Sequence, residues 1–154
     1  MKKNSYLPGL LGVIALIFTL CAFLFPLAPA AISVEKDVFY GYDLMFGNKA
    51  IAAFETPITP YIAVFVLLVI SSFFQLLATI FGWKGGKFTG FLHFVSGIML
   101  AVSGVLTFMV STLTPSGDLS LTLAWGFMAT GASLFVSALL SLTIGVMAFA
   151  KKSK

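Results

Sequence analysis

The side chains of this sequence that could do chemistry in an apolar setting are few, and they share helical faces. His93 is the only histidine, three residues after Gly90 and four before Gly97, so on a helix it lies on the same side as both glycines. On the preceding hydrophobic stretch Ser71, Gln75, Ala78, Thr79 and Gly82 follow helical spacing and form its more polar stripe. Counted from the Lys84/Lys87 turn at about 1.5 Å per residue, Gln75 is about 13 Å deep and His93 about 9 Å. A Gln75–His93 hydrogen bond is therefore within reach. The first expectation for it is a structural interhelical bond of about 0.6–2 kcal/mol; a protonation switch or a headgroup contact ranks second. Further along, Ala129, Ser133, Ser137, Ser141 and Gly145 recur every four residues, and Gln75, His93, Ser137 and Ser141 together are the set that would line a solute path.

What is missing excludes more than what is present suggests. No Lys, Asp or Glu lies within any of the four hydrophobic spans, and a charge buried at that depth is costly and kept only for use. This argues against a proton- or ion-coupled pump, and against acid–base or metal-dependent catalysis inside a bilayer. Glu35, Asp37, Asp43, Glu55 and Asp118 are scattered over two loops without metal-ligand spacing and read as solvated charges. The single Cys21 excludes an internal disulfide and the paired thiols of an oxidoreductase; its own reading is a small apolar filler. No catalytic residue, cofactor site or metal site is assigned.

The elements that must position these residues follow from composition. The 154 residues are 60% hydrophobic and 9% charged, with mean hydropathy +1.09, against about 25% charged in an ordinary soluble domain. The expectation is one integral membrane domain over 1–154, all-α, an antiparallel four-helix transmembrane bundle with spans at about 7–27, 60–83, 88–113 and 119–150. The first span ends at Pro26 and Pro29. It resembles a secretory signal with Ala28-Pro29-Ala30 as a cleavage site, but its apolar core exceeds the usual ~7–15 residues, and retention as a true span is favoured. Thr59-Pro60 reads as a cap and first-turn proline. Gly82-Trp83-Lys84-Gly85-Gly86-Lys87 is a tight turn that makes the flanking spans antiparallel, and Thr114-Pro115-Ser116-Gly117-Asp118 is a short turn at the other end.

The outer loop, 31–59, is the one long polar connection. Ile32, Val34 and Lys36, then Val38, Tyr40 and Tyr42, alternate with Ser33, Glu35, Asp37, Phe39, Gly41 and Asp43 across a charged triplet, the pattern of a two-stranded hairpin. Asn48 to Phe54 is expected to form one or two helical turns on the membrane surface. Phe39, Tyr40, Tyr42 and Phe46 read as exposed aromatics that cap the bundle or, second, dock a partner, with lying on the bilayer interface as the third reading.

Charge sets the orientation. With both termini on one side, that side holds Lys2, Lys3, Lys84, Lys87, Lys151, Lys152 and Lys154 and no acid, so positive-inside places both termini in the cytoplasm. Trp83 and Tyr6 would mark the inner interface, and Trp125, Tyr61, Tyr40 and Tyr42 the outer one. All nine basic residues are Lys, which hints at an AT-rich bacterial genome. They sit beside membrane spans, so topology explains them and a nucleic-acid partner is not expected.

Gly90, Gly97, Gly104 and Ser111 recur every seven residues, a period that keeps one helix face on one neighbour. Built of small residues, such a face lets membrane helices approach closely. With Ser133, Ser137, Ser141 and Gly145 it predicts close packing of the third and fourth spans, within one chain first and as a homo-oligomer seam second. Four spans with a hairpin-forming first outer loop resemble the claudin and peripheral-myelin-protein topology. The loop lacks the tryptophans and the cysteine pair of the claudin signature, so junction formation is not implied. The run Gly41-Tyr42-Asp43-Leu44-Met45-Phe46-Gly47 resembles the G-(aromatic)-D-x-x-F-G loop end of small four-span bacterial membrane proteins of unassigned function. The expected function is a non-enzymatic structural or accessory membrane role, working through the bilayer, a membrane protein partner or a second copy. An oligomeric uncoupled transporter or channel for a small solute is the alternative.

Overall fold

The computed structural model describes residues 6–32, 38–47, 58–82, 86–109, 112 and 122–150. Four helices are long and apolar enough to cross a membrane: α1 (Leu7–Leu24, continued by a 3-10 turn, Phe25–Leu27), α3 (Thr59–Phe81), α4 (Lys87–Phe108) and α5 (Trp125–Ala150). Between α1 and α3 come β1 (Pro29–Ile32), β2 (Val38–Tyr40) and a six-residue helix α2 (Gly41–Phe46); β3 (Thr122–Leu123) precedes α5. Pro8, Gly82, Gly90 and Ala148 border one cavity, so the start of α1, the end of α3, the start of α4 and the end of α5 share one end of the bundle. The four helices therefore alternate in direction. The two ends are called here the turn end and the sheet end.

Around the bundle the order is α1, α3, α4, α5 and back to α1, with the broadest contact between α4 and α5. The diagonal pairs, α1 with α4 and α3 with α5, hardly meet through their backbones.

The sheet departs from the simple hairpin expectation. It has three strands in the order β2-β1-β3. Ile32 pairs antiparallel with Val38 and Pro29 with Tyr40, with a bulge between Pro29 and Ala31. On the other edge Ala31 pairs with Leu123 and Ile32 with Thr122. The fourth span consequently begins at Trp125 and not near residue 119: Thr122 and Leu123 are extended because they satisfy the second edge of β1, and Ala124 N–H donates to Ala30 O at 2.8 Å just before the helix. Hydrophobicity alone cannot separate such a strand from the first turn of an apolar helix. β2 also stops early, at Tyr40, since Gly41–Phe46 turns helical. The third span, α4, likewise ends earlier than the expected residue 113, at Phe108.

Each marked residue of the Gly41–Gly47 run has a local task. A Cβ on Gly41 would lie 2.6 Å from the Phe127 ring and 2.9 Å from Pro26 Cα, so only glycine lets α2 settle on the bundle. Asp43 accepts from Tyr40 N–H at 3.4 Å, capping the helix. Gly47 ends it with φ 79°, a conformation that favours glycine. At the start of α3 the cap position is Ile58, with Thr59 and Pro60 already inside the first turn, which corrects the expectation of a threonine cap.

Two buried clusters make the core. One lies under the sheet and joins Ala30, Ala31, Phe39, Leu44, Met45, Ile58, Tyr61, Val64 and Phe127; the other, deeper, joins Ala22, Leu68, Leu100, Leu134 and Ala138. Tyr61, expected at an interface, is fully buried with its ring 5.6 Å from that of Phe127. Tyr6 and Trp125 are exposed. Ser111, the 33–37 and 48–57 segments, Trp83 to Gly85 and the 113–121 turn lie outside the described residues.

Candidate functional site

The middle of the bundle is a polar knot on Gln75. Its amide nitrogen donates to Ser137 Oγ at 2.9 Å and to Ser141 Oγ at 2.8 Å. Its carbonyl oxygen accepts from Thr19 Oγ1 at 2.7 Å, Thr19 and Ser137 hydroxyls lie 2.6 Å apart, and Ser137 donates to Ala15 O at 2.8 Å. All four side chains are fully buried. Gln is the longer of the two amide side chains, and here it crosses the α3–α5 diagonal that the backbones do not bridge. Both amide protons and the amide oxygen are engaged, so the knot has little capacity left to hold a passing solute.

The expected Gln75–His93 bond does not form, because Gln75 turns toward α5 and α1. His93 is buried on α4 as its register with Gly90 and Gly97 requires, but it looks across the other diagonal. A Cβ on Gly12 of α1 would stand 3.1 Å from Thr79 Oγ1 and 3.3 Å from His93 Nε2, so a glycine on α1 is what admits the imidazole. His93 and Thr79 border a cavity of about 10 Å³ at the turn end, with Thr89, Ile144, Met147 and Ala148 among its walls.

The small-residue rows lie where α4 meets α5. A Cβ on Gly90 would collide with Ala148 Cβ, one on Gly97 would lie 2.8 Å from Leu142 Cγ, and one on Gly145 would lie 2.8 Å from Phe94 Cβ. Gly104 receives the edge of the Phe135 ring, 3.2 Å from its virtual Cβ, and Gly131 receives Phe108; those two rings stack at 5.9 Å. The four-residue ladder of α5 is split by this arrangement: Ser137 and Ser141 enter the knot, Gly145 enters the seam, and Ser133 is buried. The backbone that faces Gly90 and Gly97 is that of Gly145 and Ala138, and Gly131, seven residues before Ala138, continues the row where it receives Phe108. That spacing was readable in the sequence and is the signal the four-residue ladder obscured. Thr19 was readable too, as the only hydroxyl side chain of α1.

At the sheet end the four aromatics separate. Phe39 is only 4% exposed and belongs to the core, which corrects its reading as an outward aromatic: it faces inward on a three-residue strand whose outer positions are Val38 and Tyr40. Tyr42 donates its hydroxyl to Phe23 O at 2.6 Å. Burial pushes its phenol pKa up, keeping it a donor. Phe46 stacks on Tyr42 at 5.9 Å and meets Phe65 edge-on at 5.0 Å, while half its surface stays exposed. Tyr40, 45% exposed, is the most outward of the tyrosines in this cap.

Among the described residues no group of three or more His, Cys, Asp or Glu is placed to hold a metal ion. Comparison with protein-family models, with curated proteins and with solved structures finds no match.

Proposed function

We propose that this chain is a non-enzymatic integral membrane protein with a structural or accessory role, acting through contact with a membrane protein partner or a second copy of itself. The observation that carries the reading is the closed knot: three of the four polar side chains a solute path would use, Gln75, Ser137 and Ser141, are tied together with Thr19 and fully buried, and His93 stands apart from them. The small-residue faces are likewise occupied within one chain, which leaves outward surfaces for partners. Val38, Tyr40, Phe46 and Trp125 at the sheet end are the exposed candidates. Seven lysines and no acid in the sequence stretches 1–6, 82–87 and 151–154 support an orientation with both termini in the cytoplasm of a bacterial cell. Thr19 ties α1 into the bundle, which favours its retention as a span over its removal as a signal.

The test is native mass spectrometry of the full chain extracted gently from its own membrane, joined to solute flux in liposomes. A defined hetero-complex or a homo-oligomer without flux is the expected result. Flux through reconstituted protein that Gln75→Ala abolishes, with folding retained, would overturn the reading in favour of an uncoupled transporter.

A further inference from the structure

The polar groups in the middle of the bundle are spent on each other; two at the turn end are not. Among the described residues, His93 Nδ1 and Thr79 Oγ1 are buried without a hydrogen-bond partner, in residues only 3% and 8% exposed. Buried polar atoms in proteins are nearly always satisfied, by protein or by ordered water. These two residues border the same cavity of about 10 Å³. A space of that size is close to what one water occupies, and a buried water needs two to four polar partners. An organic metabolite or a lipid headgroup is too large for it.

The rest of the lining selects further. Pro8, Ala78, Ile144 and Ala148 are apolar, and among the described residues no Asp, Glu or Lys lines the space to compensate an ion. Thr89 offers no free hydroxyl, since it accepts from Gly86 N–H and donates to Gly86 O, each at 2.9 Å. The donors and acceptors on offer come from α3 and α4, the two helices that the failed Gln75–His93 contact would have joined.

We propose that this cavity is a binding site for one water molecule, which bridges Thr79 Oγ1 on α3 and an imidazole nitrogen of His93 on α4. The water takes the place of a direct interhelical bond, and it makes the His93 ring a group in contact with exchangeable solvent while the knot a few ångströms deeper stays dry.

The experiment is water-to-protein magnetisation transfer on the isotope-labelled full chain in lipid nanodiscs, with His93 assigned by its loss in His93→Gln. The expected result is a water cross-peak at the His93 ring in the native chain, kept in Thr79→Ser and lost in Thr79→Val. Resolved His93 ring signals with no water contact would overturn the proposal, as would a cross-peak that survives undiminished in Thr79→Val. The native spectrum and Thr79→Ser decide the matter even where Thr79→Val does not fold.

Discussion

The α4–α5 seam and the Gln75 knot hold helices together by different means. In the seam, Phe94, Phe108, Phe135 and Leu142 fill hollows left by Gly145, Gly131, Gly104 and Gly97; among the described residues no side-chain hydrogen bond crosses it. The knot reverses this. It joins α1, α3 and α5 through hydroxyls and one amide, across a diagonal where backbones stay apart. The contrast teaches that the α3–α5 diagonal needs a different device from the seam. Where α4 and α5 touch, dispersion between matched shapes suffices; where α3 and α5 stand apart, a long polar side chain must reach.

The two regions should therefore fail differently. The largest effect is expected at the seam. Gly97→Leu places a side chain against Leu142 and the backbone carbonyl of Ala138, whose oxygen would be 3.1 Å from the new Cβ. Ala138 O cannot move aside as a side chain can, so a loss of about 3 kcal/mol is expected, at the top of the usual overpacking range, read as reduced unfolding free energy in detergent or bicelles. At the knot, Gln75→Leu removes three interhelical hydrogen bonds. At about 0.6 kcal/mol per bond the loss is about 2 kcal/mol, with Thr19, Ser137 and Ala15 still able to bond each other. A double-mutant cycle of Gln75→Leu with Ser141→Ala gives the coupling directly; a value near zero would remove the knot from the account. The smallest effect sharpens the seam's own logic. Gly104 faces the edge of the Phe135 ring and no backbone, so Gly104→Ala should change stability by under about 1 kcal/mol, because a ring can yield by tenths of an ångström and alanine favours the helix. A loss as large as that of Gly97→Leu would show that the ring is as fixed as the backbone.

Much of this was legible residue by residue. Four apolar stretches, the break between Phe81 and Lys87 and the inward faces of Gly90, Gly97, Gly104, Gln75 and His93 follow from hydrophobicity and the helical period, which are local properties. The partners did not follow. Gln75 and His93 sit at similar depth on adjacent helices, yet Gln75 bonds to residues 56 to 66 positions away in sequence and His93 faces Gly12. Periodicity says which face is buried and is silent on the rotation of one helix about its neighbour.

Four long helices, their alternating direction and the polar face of each follow from the chain's local chemistry, because apolar length, breaks between segments and spacing act within one segment. Closure of the fold set that Gln75 crosses to α5, that Ala138 and Gly145, and not Ser137 and Ser141, face the α4 glycines, that Phe39 turns inward and that Thr122 and Leu123 extend to complete a sheet. Each of those outcomes depends on which group stands within about 3–4 Å of another once the chain has closed on itself, the range over which hydrogen bonds and packing act.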